Sequence, residues 1–287
     1  RENMAFGPFG LIFRMAGAFY LRKSFDDPLY KQVFRAYVAH LVRDGFTQEF
    51  FIEGGRSRTG KTLTPRLGMV SWDVNAFLEC SRRDLFFVPT AITYERLVEE
   101  SGMVDELEGG KKTNESTLAL FRARKYLRRR FGSVHVRFGE PISLADALGD
   151  RRERFEREVR GEVAALLPGG SADEVAALAE RIEEEKRAFV DELGHRIVEH
   201  INWSVVVNAT SVVSAVLLGA PHRGLVRGEL AIRARQLVEL LRFSGVRLTA
   251  ALRADREDFA ESIAFLLRSD LLRSVADSRG EIIYFEE

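Results

Sequence analysis

The chain has 287 residues, is 46% hydrophobic and carries 43 basic against 43 acidic residues, for a formal net charge of +0. That length can bury one large core and a smaller second domain, and the balanced charge removes any global attraction to nucleic acid. The single cysteine, Cys80, excludes an internal disulfide and has no metal-ligand neighbours, so neither an oxidising compartment nor zinc is implied.

The first apolar stretch, residues 4–21, is rich in aromatics, with Phe6, Phe9, Phe13, Phe19 and Tyr20 around Arg14. It suits a membrane interface or ordinary core packing equally well. Small residues at 16–18 mimic a leader peptide, but Arg14 interrupts the apolar run and the charged start is weak, so that reading is rejected. Next, Leu29, Val33, Phe34, Tyr37, Val38 and Leu41 recur at helical spacing, and Gly45 stands where a C-terminal cap belongs. Residues 48–52 read as a short strand, 68–80 as a helix, and 85–92 as a strand interrupted by Pro89. A helix over 116–131, closed by Gly132, and a strand over 134–138 complete the first half. Alternating elements of this kind imply an α/β fold with a central mixed or mostly parallel sheet flanked by helices, whose ligands gather at the carboxyl ends of the strands.

From about residue 146 the chain turns to long charged helices, at 151–167 and 173–200, separated by Pro168, Gly169 and Gly170. Residues 201–220 come nearest to a membrane span. Asn202, Ser204, Asn208, Thr210, Ser211 and Ser214 make them a poor one, and a buried core helix is expected instead. Helices at 228–243 and 255–268 precede a hairpin of residues 271–275 and 281–285, which together can form a winged-helix-like unit. No basic recognition face accompanies it, so a structural or interaction role is expected. The domain reading is therefore 1–145, 146–200 as a charged connector, and 201–287 as a mainly helical C-terminal region.

The strongest chemical signal is the run FFIEGGRSRTGK at residues 50–61. Glycines let the backbone approach an anion closely, and an arginine fork matches phosphate oxygens in pairs. Residues 55–62 also satisfy the P-loop pattern G-x-x-x-x-G-K-[ST]. A P-loop needs a helix starting near Lys61, however, and Pro65 with Gly68 would break it in its first turns. Arg56, Ser57, Arg58 and Thr59 are also bulky for a loop that must wrap an anion.

Upstream lies GAFYLRKSF at 17–25, and downstream lie FFVPTAITYERLVEE at 86–100 and ELEGGKKTNES at 106–116. In the order and spacing of these blocks the chain resembles the bacterial glycerol-3-phosphate acyltransferases and the related dihydroxyacetone-phosphate acyltransferases. The resemblance is strong to about Leu144 and weaker beyond. It implies an acyltransferase-type domain and assigns acceptor contacts to Tyr20, Lys23, Glu53, Gly54, Arg56, Ser57, Arg58 and Pro89. Lys23 stands where the family uses arginine and so keeps the charge without the fork. Within that implied site, Lys23, Arg56 and Arg58 would neutralise the phosphate, Ser57 would donate to it or to the glycerol, and Pro89 would shape the wall. Glu53 would accept from a glycerol hydroxyl or hold an arginine, or else form a structural ion pair with Arg56 or Arg58. Tyr94, Glu95, Lys111, Lys112, Glu115 and Ser116 would support the site without touching substrate.

The resemblance further implies transfer of a fatty acyl group to the sn-1 hydroxyl of glycerol 3-phosphate, giving 1-acylglycerol 3-phosphate, the first step of phospholipid synthesis. The donor would be a coenzyme A or acyl carrier protein thioester, with no other cofactor and no metal. The family's catalytic His-x-x-x-x-Asp block is absent: His40 precedes Asp44 one residue too closely, His195 is followed by His200, and His135 and His222 have no aspartate at that spacing. Arg1 accordingly reads as an internal residue of a longer protein, and this polypeptide alone is expected to catalyse little or nothing. The implied location is the cytoplasmic face of the inner membrane, held peripherally. Arg122, Arg124, Lys125, Arg128, Arg129 and Arg130 form a basic helix that suits anionic lipid, coenzyme A phosphates or an acidic carrier protein, or a solvated helix end favoured by its own dipole. A catalytically silent membrane-associated or scaffolding relative and a P-loop nucleotide hydrolase are the alternatives.

Overall fold

Asp27 and Gly45 fix the two ends of the first long helix by complementary means. The computed structural model describes residues 7–22, 25–55, 57, 61–80, 82–95, 132–255 and 259–285, with the side chains of 7–9 left aside. In it, the Asp27 carboxylate accepts from the N–H groups of Leu29 at 3.0 Å and Tyr30 at 3.2 Å, and Pro28 takes a first-turn position where no N–H is needed. At the other end Gly45 adopts φ 81° and donates its N–H to the carbonyls of Leu41 and Val42. A methyl at Gly45 would lie 2.2 Å from Nη2 of Arg82, whose guanidinium donates to the Arg43 carbonyl. Gly45→Ala is therefore expected to cost about 1–2 kcal/mol, read as a lower urea midpoint, from the left-handed backbone and the displaced guanidinium together.

The helices of the first half are α1 Gly7–Met15, α2 Pro28–Asp44 and α3 Gly68–Glu79. The short strands β1 Phe86–Phe87, β2 Thr90–Tyr94, β3 Val134–Phe138 and β4 Ile142–Ser143 follow. Then come α4 Leu144–Leu148, α5 Arg152–Val159, α6 Ala172–Ser204 and α7 Ala209–Leu218, with 3-10 turns at Gly149–Arg151 and Val163–Leu166. The chain ends with β5 Gly224–Val226, α8 Arg227–Phe243, α9 Ala250–Arg253, α10 Ala260–Arg268 and the hairpin β6 Arg273–Asp277 and β7 Gly280–Tyr284. The described residues form two compact units: residues up to 88 with 141–199, and residues 89–95 and 132–140 with those from 200 on.

The fold class is as expected, a mixed α/β architecture followed by a helical C-terminal region, although the described ladders are small and antiparallel: β1 with β4, β2 with β3, and β5-β7-β6. The expected strand over 48–52 does not form. Ile52 is buried, but its carbonyl accepts from the Arg66 N–H at 2.7 Å, so the segment closes a loop instead of joining a sheet. The interruption at Pro89 holds, with β1 ending before it and β2 starting after it. The helix expected over 151–167 is cut after Val159, where Gly161 takes φ 72° and the chain tightens into a 3-10 turn. The helix expected over 116–131, with its basic residues, lies outside the described residues.

In the first unit, α2 and α3 pack around Val42, Ala76 and the buried Cys80, next to a cluster of rings from Phe19, Phe25, Tyr30, Phe34, Tyr37 and Trp72. Asp84 ties β4 and α4 to the chain before β1, accepting from the N–H groups of Leu85 and Ala145 and from the Ser143 hydroxyl. Burial pushes the Asp84 carboxyl up, but these hydrogen bonds outweigh it and hold it below the usual carboxylate range. The long helix α6 opens with a capping box: Glu174 accepts from Ser171 N–H at 2.8 Å, and Glu174 N–H donates back to the Ser171 hydroxyl at 3.3 Å.

The core of the second unit gathers Val213, Leu217, Leu230, Ala234, Leu252, Phe259, Ile263 and Ile283 from α7 to α10 and the terminal sheet. The core helix expected over 201–220 is broken: Asn202 and Ser204 fall in the last turn of α6, and Asn208, Thr210 and Ser211 begin α7. The Asn208 side chain is its N-cap, accepting from Ser211 N–H and from the hydroxyls of Thr210 and Ser211 at 2.7–2.8 Å. The terminal hairpin forms as expected, and β5 adds a third strand that sequence reasoning did not foresee. No described helix is long and apolar enough to cross a membrane.

Candidate functional site

The loop over residues 52–66 is pinched shut at its base. Ile52 and Arg66 join through the backbone bond already noted, and ten residues apart the Glu53 carboxylate accepts from the Leu63 N–H at 2.8 Å. Inside the pinch, Gly54 turns the chain with φ 62° and donates its N–H to the Phe51 carbonyl at 3.0 Å. A side chain at Gly54 would press its Cβ to 2.8 Å from Cγ of Arg66, so both the turn and the packing require glycine there. The loop thus brings together three of the expected residues: Glu53, Gly54 and Ser57.

Ser57 carries the most informative detail. Its hydroxyl oxygen is buried and has no hydrogen-bond partner. Buried hydroxyls are normally paired, so this one stands out. Glu53 is thus engaged in holding the loop closed. Lys23, Arg56 and Arg58 lie outside the described residues.

The loop is not the start of a helix. Residues 62–66 are non-helical and α3 begins only at Gly68, so no helix N-terminus stands at Lys61. That geometry disfavours a P-loop.

Tyr20 is half-buried in the first unit; its hydroxyl donates to the Gly10 carbonyl at 3.0 Å, and the Arg14 guanidinium lies 5.6 Å from its ring. The residue therefore anchors α1 to the segment that follows. Pro89 is buried and opens the second unit, where its carbonyl accepts from the Gly139 N–H at 2.7 Å. In the same unit Glu95 accepts from the Ser133 N–H at 2.8 Å and extends the β2–β3 pairing one residue past Tyr94 and Val134. Lys111, Lys112, Glu115 and Ser116 are outside the described residues. His40 is exposed on α2 and faces Asp44 at 3.5 Å, while Nδ1 of His195 lies 2.9 Å from the Asp191 carbonyl. Both are intrahelical neighbours, and neither contacts the loop. Among the described residues no group of three or more histidine, cysteine, aspartate or glutamate side chains is placed to hold a metal.

Sequence reasoning missed a groove of about 360 Å³ in the first unit, between α2 and α3. Lys31 and Arg35 line it from α2, and Ser71, Trp72 and Asn75 from α3. Each helix contributes residues at i and i+4, a spacing visible in the sequence once the two helices are known to pack.

Residues 1–93 match the acyltransferase family model, and residues 103–287 match the glycerol-3-phosphate acyltransferase C-terminal region. A glycerol-3-phosphate acyltransferase of Ectopseudomonas mendocina is 33% identical over 286 residues, covering 99% of this chain and 32% of the relative. One from Pseudomonas fluorescens is 32% identical over 290 residues with the same coverage, and one from Pseudomonas putida is 36% identical over 217 residues, 75% of this chain and 24% of the relative. The chain thus spans about a third of the length of the curated relatives it matches. Matched along nearly its whole length by these proteins and over most of it by the C-terminal region model, the chain belongs to the glycerol-3-phosphate acyltransferase family.

Proposed function

We propose that this chain supplies the acceptor-binding part of an enzyme that transfers a fatty acyl group from a thioester to the sn-1 hydroxyl of glycerol 3-phosphate. The observation that carries this reading is the buried, unpartnered Ser57 hydroxyl in a loop pinched shut by Glu53 and Leu63. A phosphate or glycerol oxygen satisfies that hydroxyl, and Lys23, Arg56 and Arg58 supply the positive charge that a phosphate dianion needs.

In the reaction, a general base takes the proton of the acceptor hydroxyl and the oxygen attacks the thioester carbonyl. The carbon–sulfur bond breaks, and the thiol leaves with the proton, producing 1-acylglycerol 3-phosphate and entering phospholipid synthesis. None of the five histidines stands in a His-x-x-x-x-Asp block, so the base comes from outside these residues and this polypeptide alone transfers no acyl group. The enzyme works at the cytoplasmic surface of the inner membrane. Exposed Leu11, Ile12 and Met15 on α1, and Leu29, Val33 and Tyr37 along one side of α2, support peripheral contact with a bilayer.

Titration calorimetry with glycerol 3-phosphate tests the acceptor site without requiring catalysis. Saturable binding is expected, about tenfold weaker in Arg56→Ala and measurably weaker in Ser57→Ala. A folded protein that does not bind glycerol 3-phosphate, or that binds nucleoside triphosphate through Lys61, would overturn the proposal.

A further inference from the structure

We propose that the groove between α2 and α3 is a binding site for a phosphorylated nucleoside, the part of coenzyme A that an acyl carrier protein lacks. The identity of the ligand as an acyl donor rests on the acyl-transfer reading; the existence of the site does not.

The groove joins three chemistries. Lys31 gives it positive charge, and among the described residues its ammonium group has no carboxylate partner. Arg35 donates from one nitrogen to Glu79 at 3.3 Å and keeps its other N–H groups for a second acceptor. Trp72 supplies aromatic surface and is braced by rings of Phe25 and Phe34 at 5.4 and 5.2 Å, so it is held in place before any ligand arrives. Asn75 supplies the third element. Its side-chain oxygen is buried without a hydrogen-bond partner, an amide left open beside the aromatic surface. With the Ser71 hydroxyl and the Gln32 amide, the lining offers donors for phosphate oxygens, a ring to stack on, and an amide able to pair with the edge of a base.

A lipid headgroup offers phosphate but no ring, and the geometry argues against it. Residues two apart on a helix lie about 200° around the axis from each other. Leu29 and Val33, the exposed apolar residues suited to a bilayer, therefore stand on the opposite side of α2 from Lys31 and Arg35. One flat membrane cannot reach both sides of the helix. A soluble ligand can enter the groove while the apolar side is occupied.

Trp72 is itself the reporter. The chain contains two tryptophans, Trp72 and the exposed Trp203, so Trp203→Phe isolates the groove signal. Titration with adenosine 3′,5′-bisphosphate is expected to change the Trp72 fluorescence saturably, with affinity about tenfold weaker in Lys31→Ala. Adenosine and inorganic phosphate alone are each expected to bind much more weakly, and anionic phosphatidylglycerol vesicles not to displace the bisphosphate. The absence of a saturable change, an affinity indifferent to Lys31→Ala, equal binding of inorganic phosphate, or displacement by vesicles would each overturn the proposal, the last in favour of a lipid headgroup. Lys31 is exposed on α2, and circular dichroism of the variant confirms that its fold is kept. Glycerol 3-phosphate binding, followed in parallel, reports on the acceptor loop, so either site can fail without the other.

Discussion

Replacing Asp73 by asparagine is expected to stabilise the protein at pH 8 by as much as about 4 kcal/mol, with a smaller gain at acid pH. Asp73 lies on the inward side of α3 with Val70, Val74 and Phe77; it is only 4% exposed, and one of its carboxylate oxygens is buried without a partner. Burial alone pushes its carboxyl up from 3.8 to about 7. The folded state therefore holds the proton more tightly than the unfolded chain does. Stability contributed by the protonated group is present at low pH, falls as pH rises from about 4 to about 7, and is gone above. Asparagine has nearly the same shape and never ionises, so it escapes that loss. The gain should shrink to about 1–2 kcal/mol at pH 5 and vanish near pH 3. Urea unfolding of both proteins at the three pH values measures it. A pH-independent difference would mean that Asp73 titrates normally, and a loss of stability at pH 8 would mean that its charge is paired.

Asp73 also shows where the sequence stops being readable. Its neighbours announce a helix over 68–80, and the helix forms, but nothing in a single sequence separates a buried aspartate from a solvated one at that spacing. The same limit appears in α2. Its apolar residues do mark a helix, and Gly45 marks where it ends. They form two stripes, however: Phe34, Val38 and Val42 are buried, whereas Leu29, Val33 and Tyr37 face solvent. Periodicity gives the helix and leaves open which stripe finds a partner. The misread strand at 48–52 has a related cause. Its short apolar run is real, but the hydrogen bond that decides its fate comes from Arg66, fourteen residues on. Local pattern says little about a closure of that length. The pinched loop was legible because its residues are contiguous, with Glu53, Gly54 and Ser57 inside five residues. The groove was not, because Lys31 and Asn75 are forty-four residues apart and meet only when two helices pack.

Lys186→Ala is expected to destabilise the first unit by about 3–5 kcal/mol, an outcome that the charged appearance of 173–200 does not suggest. Such charge runs read as solvated faces, and most of α6 is one. Lys186, though, sits on the apolar side of α6 with Ile182, Phe189 and Leu193, its side chain only 8% exposed. Its ammonium donates to the carboxylate of Glu158 on α5 and to that of Glu183 at 2.7 Å. Burial pushes the Glu183 carboxyl up, but the Lys186 hydrogen bond and charge, with help from Arg187, outweigh it and leave it below the usual range. Alanine removes the cation and leaves the half-hidden Glu158 facing an apolar helix. The penalty lies in that abandoned charge more than in the bond itself, because desolvation offsets much of what a buried pair gains. The combined change Lys186→Met with Glu158→Leu should therefore recover most of the loss, to within about 1 kcal/mol of the parent. Urea unfolding of Lys186→Met, Glu158→Leu and the double variant gives the coupling directly. A cost below about 1 kcal/mol for Lys186→Ala would mean that Glu158 swings into water, and that α5 is held to α6 by Phe155 and Phe189, whose rings lie 6.0 Å apart, without help from charge.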